Sequence, residues 1–209
     1  MDFAHNNPDD PFDQLLFIIC SVRTRFDRYE SSYARFKKDF PTHSSTRGAK
    51  IEQLAAPLKG SGLHIRKAQM IHSIVKTLCE DFGRPTLDPL LSWSDEKCEA
   101  YLTSFPGVGK KVARCVMLCS LRREVFPVDS HCWRIARRLG WVRQTRKGKF
   151  CTQADMDRLQ SKIPKDVRYS LHVNMVSFGR DICSPLAPSC QLCPLESRCK
   201  KVGVPNKCR

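Results

Sequence analysis

The chain has 209 residues, 41% of them hydrophobic and 27% charged, a balance that belongs to a folded protein and excludes a disordered tail. Lys and Arg number 36 against 21 Asp and Glu; the formal charge of +15 predicts attraction to a polyanion, nucleic acid first and an anionic membrane surface second. No apolar run reaches the roughly 18 residues of a membrane span, and the opening MDFAHNNPDDPFDQLLFIIC is acidic where a secretory signal would be basic. The expectation is an intracellular protein with no membrane partner.

Helical periodicity runs almost throughout. Phe12, Leu15, Leu16, Ile19 and Cys20 follow one helix face, Tyr29, Tyr33 and Phe36 a second that ends near FPTHSS, and Ile51, Leu54 and Ala55 a short third. Ala68, Ile71, Ile74, Val75, Leu78 and Cys79 form the clearest stripe, broken by GRPTLDP. A short helix is expected from Glu96 to Thr103, then the loop FPGVG, then a helix from about Lys110 to Cys119. Asp129 precedes SHCWRIARRLG, whose Cys132, Ile135, Ala136 and Leu139 space as a helix that Gly140 would stop. The basic VRQTRKGK reads as a loop; Met156, Leu159 and Ile163 mark a further helix, and Leu171, Met175 and Phe178 the last long one. With no period-two run, internal repeat or low-complexity linker, the expected fold class is all-α. Its two lobes are a helical bundle over 11–121 and a second lobe over 122–209, joined by residues 1–10.

Helix, FPGVG, helix is a helix-hairpin-helix pattern over about 96–119. Gly107 and Gly109 lack a Cβ to shield the backbone N–H groups, and the next helix points its N-terminus the same way. Such a loop cradles phosphate without reading base sequence, and a bound monovalent cation could assist it. An ordinary glycine turn would also read PGVG; a nucleotide-binding P-loop is excluded because GxxxxGK[ST] is absent. Lys110 reads as a solvated or phosphate-binding residue. Lys111 is expected one turn into a helix whose Val112, Ala113 and Val116 are buried, where nearby cations and partial desolvation could leave a neutral, nucleophilic amine. Asp129 reads as the N-cap of the following helix and as a candidate carboxylate for chemistry; the two roles are compatible.

Twelve cysteines are present. Seven, from Cys20 to Cys151, sit mostly in apolar stretches and read as small buried hydrophobes. Cys183, Cys190, Cys193 and Cys199 form C-x6-C-x2-C-x5-C, with Pro185, Pro188 and Pro194 stiffening the loop. Four thiolates at that spacing suit a metal centre, and the spacing leaves structural zinc and an iron–sulfur cubane both open. Disulfides are not expected inside a cell, and Cys208 falls outside the spacing and is expected to be free.

Taken together, FPGVGKKVA, VDSH and the four-cysteine run resemble the endonuclease III branch of the helix-hairpin-helix DNA glycosylase superfamily, over roughly Pro11 to Cys199. FPVDSHCWRIARRLGWV and LHVNMVSFGRDIC also resemble the plant 5-methylcytosine glycosylases of that superfamily. The resemblance implies two helical lobes with a DNA cleft between them, Lys111 as catalytic lysine, Asp129 as catalytic aspartate, and one [4Fe-4S] cluster on Cys183, Cys190, Cys193 and Cys199. It implies double-stranded DNA as partner of a monomer, bound through Gly107, Gly109, Lys110 and His131 of VDSH, with Leu63 of LKGSGLHIRKA wedged into the duplex. It also implies base excision with β-elimination at the abasic site, acting on damaged or modified pyrimidines. Lysine at this place, rather than serine or tyrosine, is the argument for the lyase step.

Two departures qualify the resemblance. Where the family reads LSAQ[TA]TD, this chain reads CSVRTRFD, placing Arg23 where a glutamine fills the gap left by the flipped nucleotide; Arg offers donors only. The chain also begins about twenty residues later, so the first helix of the cluster lobe is expected to be missing. Alternatives stay open within the enzyme class, namely mismatched uracil or thymine, modified cytosine, or abasic sites alone. Outside it stand a non-catalytic DNA-binding module and a zinc-bearing RNA-binding protein.

Overall fold

The computed structural model describes residues 7–142 and 151–205. The basic stretch 143–149 and Cys208, both singled out from sequence, lie outside them. The chain divides into two compact units, one running to Arg123 and the other beginning at Glu124. All regular elements among the described residues are helices, α-helices and short 3-10 turns, with no strand. No helix among them is long and apolar enough to cross a membrane.

The first unit carries α1 (Pro11–Ser21), α2 (Phe26–Asp39), α3 (Ile51–Ala55), α4 (His64–Phe82), α5 (Asp95–Ser104) and α6 (Lys110–Cys119). Local chemistry sets the ends. The Asp10 carboxylate accepts from the N–H groups of Phe12 (2.9 Å) and Asp13 (2.8 Å), and Pro11 follows it at the first helical position. Gly83, at φ +73°, closes α4. The α4 stripe predicted from spacing is real: Ala68, Ile71, Ile74 and Leu78 are fully buried, as are Phe12, Leu15 and Leu54 of α1 and α3, which pack against α4. Each buried Ile, Leu or Phe contributes about 1.5–3 kcal/mol.

Helices α5 and α6 form the hairpin. Phe105 and Val108 bury the apolar side of its loop, and Tyr101 packs edge-on against both Phe105 and Trp93. An ion-pair clamp joins the helices: Glu99 of α5 meets Lys110 Nζ at 3.2 Å and Arg114 Nε at 2.5 Å, with the Arg114 side chain almost wholly buried. Removing one member of a pair this enclosed leaves an uncompensated charge, which costs more than the pair itself is worth.

The second unit carries α7 (Ser130–Leu139), α8 (Gln153–Ser161) and α9 (Arg168–Asp181). Its core is Phe126, Val128, Cys132, Trp133, Ile135, Ala136, Leu159, Ile163 and Met175. The segment before α7 runs extended and buried, held by Phe126 N donating to Gln160 Oε1 (2.6 Å) and by Arg168, whose guanidinium reaches the carbonyls of Glu124, Gln160 and Ile163. Of the seven scattered cysteines, Cys20, Cys98, Cys115 and Cys132 are buried as expected, while Cys79, Cys119 and Cys151 are half-buried. Burial pushes the Cys20 thiol up to about 12, so it is inert near neutral pH.

The two hairpin glycines differ in kind. Gly107 sits at φ +76°, and a Cβ there would lie 2.7 Å from Met70 Cε; Gly109 has an ordinary φ of −92°, and a Cβ there would meet nothing within 4 Å. Gly107→Ala should therefore lower stability by about 1–2 kcal/mol through the left-handed backbone alone, with Met70 displaced in addition. Gly109→Ala, a milder change at an N-cap, should cost no more than about 1 kcal/mol. Thermal melts of the two variants check the order, which a Tm lower for Gly109→Ala would reverse.

Candidate active site

No side chain caps α6, whose N-cap is Gly109, nor α2, α3, α4 or α9, whereas Asp10, Ser94, Asp129 and Thr152 accept helix N–H groups at the starts of α1, α5, α7 and α8. A helix start without an acid or hydroxyl of its own, opening through a glycine onto clear space, suits an anion from outside the chain. The two lysines that follow are not equivalent. Lys110 is tied to Glu99, with the clamp absorbing its charge. Lys111 is the second residue of α6 and half-buried, nearer the helix start than the full turn expected, and Val112 beside it is half-buried rather than buried. Ala113 and Val116 are buried as expected.

Arg23 and Leu63 occupy neighbouring loops of the same unit. Both have left-handed backbones, φ +50° and +54°, which a side chain makes costly. Both are exposed, Leu63 at 46%. Gly62 lies between them: a Cβ added there would stand 3.5 Å from the Arg23 carbonyl oxygen. Leu63 is also the N-cap of α4, so its side chain stands where the loop turns into the helix.

In the second unit Asp129 does what its place before α7 predicts, accepting from Cys132 N at 2.8 Å. It is half-buried at the end of the buried Val125–Val128 segment. His131, the second residue of α7, faces α9: Gly179 approaches so closely that a Cβ there would sit 2.6 Å from His131 Nδ1. Arg134 donates to the same Nδ1 at 3.0 Å. Burial lowers the His131 pKa, so its imidazole is neutral and Nδ1 is the acceptor.

The expected cofactors need correction. Cys183, Cys190, Cys193 and Cys199 border a common cavity with Arg138 and Lys201, but its volume is only about 20 Å³. No three of the four sulfurs lie within 4.8 Å of one another. Instead Arg138 Nη1 donates to Cys183 Sγ (3.0 Å), and the Cys199 thiol to the Arg138 carbonyl (3.3 Å). With Cys183 and Cys199 engaged by Arg138 and no thiol group gathered within that spacing among the described residues, the [4Fe-4S] cluster that the resemblance implied is not supported, and no side-chain ligand group stands at the hairpin for a cation either. Among the described residues that spacing is met by Asp10, Asp13 and His43, two carboxylates and an imidazole. Their charge is already answered from within. His43 Nε2 lies 3.3 Å from Asp10 and 3.2 Å from Asp13, and Lys37 Nζ is 2.9 Å from Asp13. The hydrogen bond to Asp13 raises the His43 pKa; burial alone would raise the Asp13 carboxyl, but His43 and Lys37 outweigh it and hold it low.

Three residues that shape these loops escaped sequence reading. Glu99 sits on a short helix with a weak amphipathic pattern, where a carboxylate carries no special signal. Arg138 reads as one of a basic pair, yet it is buried and donates to the carbonyls of Cys183, Ser184 and Pro185. Lys67 did leave a signal. With Ile71, Ile74 and Leu78 it falls on the buried stripe of α4, where a lysine is out of place.

The family model described as HhH-GPD superfamily base excision DNA repair protein matches residues 16–160. Endonuclease III of Thermotoga maritima is 33% identical over 95% of this chain and 87% of its own length. The DNA glycosylase/AP lyase ROS1 of Arabidopsis thaliana is 30% identical over 74% of this chain, but that is only 12% of the longer plant protein. The fold matches the protein of a non-covalent endonuclease III–DNA complex with a TM-score of 0.78, covering 92% of this chain and 84% of the other at 24% identity. With an all-α fold, a glycine-capped hairpin and a matched stretch that contains both Lys111 and Asp129, the chain belongs to the HhH-GPD superfamily of base excision DNA repair proteins, in its endonuclease III-like branch.

Proposed function

We propose that the chain is a DNA glycosylase with abasic-site lyase activity, acting as a monomer on damaged pyrimidines in double-stranded DNA inside the cell. The carrying observation is the start of α6, a glycine N-cap followed at once by Lys110 and Lys111, in a matched stretch that also holds Asp129. Phosphate rests on the hairpin N–H groups and fixes the register of the strand. The damaged nucleotide leaves the stack so that its sugar carbon is exposed. The Lys111 amine attacks C1′ and the base departs, while the Asp129 carboxylate stabilises the positive charge that develops on the sugar. Opening of the C1′–O4′ bond, with O4′ taking a proton, gives an iminium that acidifies the C2′ proton; loss of that proton pushes out the 3′ phosphate and cuts the strand. Arg23 stands at the place of the orphan base, with donors matched to guanine O6 and N7. Both the Thermotoga endonuclease III and the plant glycosylase/AP lyase bear names of this reaction class, which supports the reading.

Lys111→Gln should bind abasic duplex with near-parental affinity and give no borohydride-trapped adduct, whereas Lys110→Gln should still trap. Trapping by the first variant and not the second would move the nucleophile to Lys110. Asp129→Asn keeps an N-cap acceptor but discards the charge, so its Tm should stay within a few degrees of the parent. Single-turnover base release should fall on the order of 10²-fold or more; an unchanged rate would remove Asp129 from the chemistry.

Binding before chemistry should be strongly ionic. With roughly 4 to 7 phosphate contacts, each adding about −0.9 to the slope of log K against log salt, affinity should drop on the order of 10²–10⁴-fold between 50 and 200 mM salt. Fluorescence anisotropy on Lys111→Gln checks this, and a flat response would assign the +15 charge to another partner.

A further inference from the structure

Lys67 is 1% exposed, yet its ammonium has no carboxylate beside it among the described residues. Its Nζ donates to Cys20 O (2.8 Å), Thr24 Oγ1 (2.8 Å) and Ser61 O (2.7 Å), with Ser61 Oγ at 3.3 Å. Those oxygens come from two separate segments: the turn that leaves α1 and the loop that enters α4. Thr24 Oγ1 also reaches Ser61 O directly, and Lys67 N donates to Leu63 O (2.9 Å), closing the first turn of α4. Buried charge is costly unless every proton is met, so the two segments are held in one register or the ammonium is stranded. Burial lowers the Lys67 pKa.

The two segments are the ones that carry Arg23 and Leu63, each exposed and each on a left-handed backbone. Strained residues persist only where the surroundings over-determine them. The contacts of one ammonium supply that constraint to both. We infer that Lys67 is a positioning residue for duplex engagement, locking the two loops so that Arg23 and Leu63 enter the helix together. The inference rests on the proposed placement of those two side chains on DNA. Lys67 itself touches neither DNA nor the reacting sugar.

Lys67→Met keeps the volume and removes the ammonium. The test compares borohydride trapping on a single-stranded abasic oligonucleotide, which has no stack to wedge and no opposite base, with trapping on the same strand in duplex. Fluorescence of 2-aminopurine opposite the abasic site reports unstacking by the protein. The inference expects duplex trapping to slow about tenfold or more and the 2-aminopurine rise to shrink, with single-strand trapping kept within about twofold. Equal losses on both substrates, or no loss on either, overturn it, since a merely structural lysine would not separate them. If Lys67→Met does not fold, Thr24→Val decides. It removes one oxygen contact and the link to Ser61, and it should show the same duplex-only defect more weakly; an indifferent Thr24→Val sinks the inference. The variant Arg23→Ala/Leu63→Ala separates the two layers. Parental unstacking by it would end the placement of Arg23 and Leu63 on DNA, whereas a defect in it alongside normal duplex behaviour of Lys67→Met would end only the role of Lys67.

Discussion

A cation withdrawn from water must recover its solvation from oxygens, and this chain carries 36 Lys and Arg but only 21 Asp and Glu. At several buried positions it solves the problem with main-chain carbonyls. Lys67 takes those of Cys20 and Ser61, Arg138 those of Cys183, Ser184 and Pro185, and Arg168 those of Gln160 and Ile163. Arg123 reaches the carbonyls of Leu91 and Trp93. In each case the carbonyls lie where a helix ends or in the connection beyond it, where the backbone has lost its regular partners. The cation and the loop therefore complete one another, and connections that would otherwise move freely are pinned to the helices.

The same accounting separates residues that look alike in the sequence. Lys110 and Lys111 are adjacent, but Glu99 holds the first and forms the hairpin clamp with Arg114. Gly107 and Gly109 are two apart, but the first is required by a left-handed turn against Met70, and the second by nothing inside the protein. Gly107 shapes the hairpin turn, while Gly109, Lys110 and Lys111 together form the helix start, where the proposed chemistry needs them.

The helices were legible because each buries a stripe, and a stripe is a periodic signal: α7 could be placed almost to the residue from Cys132, Ile135 and Ala136, and α4 from Ile71, Ile74 and Leu78 except for its first turn, which begins at His64 ahead of the stripe. The Asp129 cap was legible for a related reason, since an N-cap is a local contact three residues long. What spacing could not supply was convergence. The four C-terminal cysteines are close in sequence and border one cavity, yet Arg138, some fifty residues earlier, engages two of them and the sulfurs do not gather to single-ion spacing. Lys67 carries the same lesson in reverse. Its place on an apolar stripe was visible, but its partners lie 6 to 47 residues away and belong to no pattern.

Four described residues other than glycine have left-handed backbones: Arg23, Leu63, Arg122 and Lys201. Glycine at any of them would relieve roughly 1–2 kcal/mol of strain, so each retained side chain needs a use that outweighs it. Two find a partial offset within the fold, for Arg122 pairs with Asp9 at 2.7 Å and Lys201 with Glu196 at 2.8 Å, surface pairs that contribute little. Arg23 and Leu63 have no such ion pair among the described residues and lie exposed on neighbouring loops that a buried ammonium ties together. Under the proposed function, the partner that repays the cost of a large side chain on a strained backbone is the duplex.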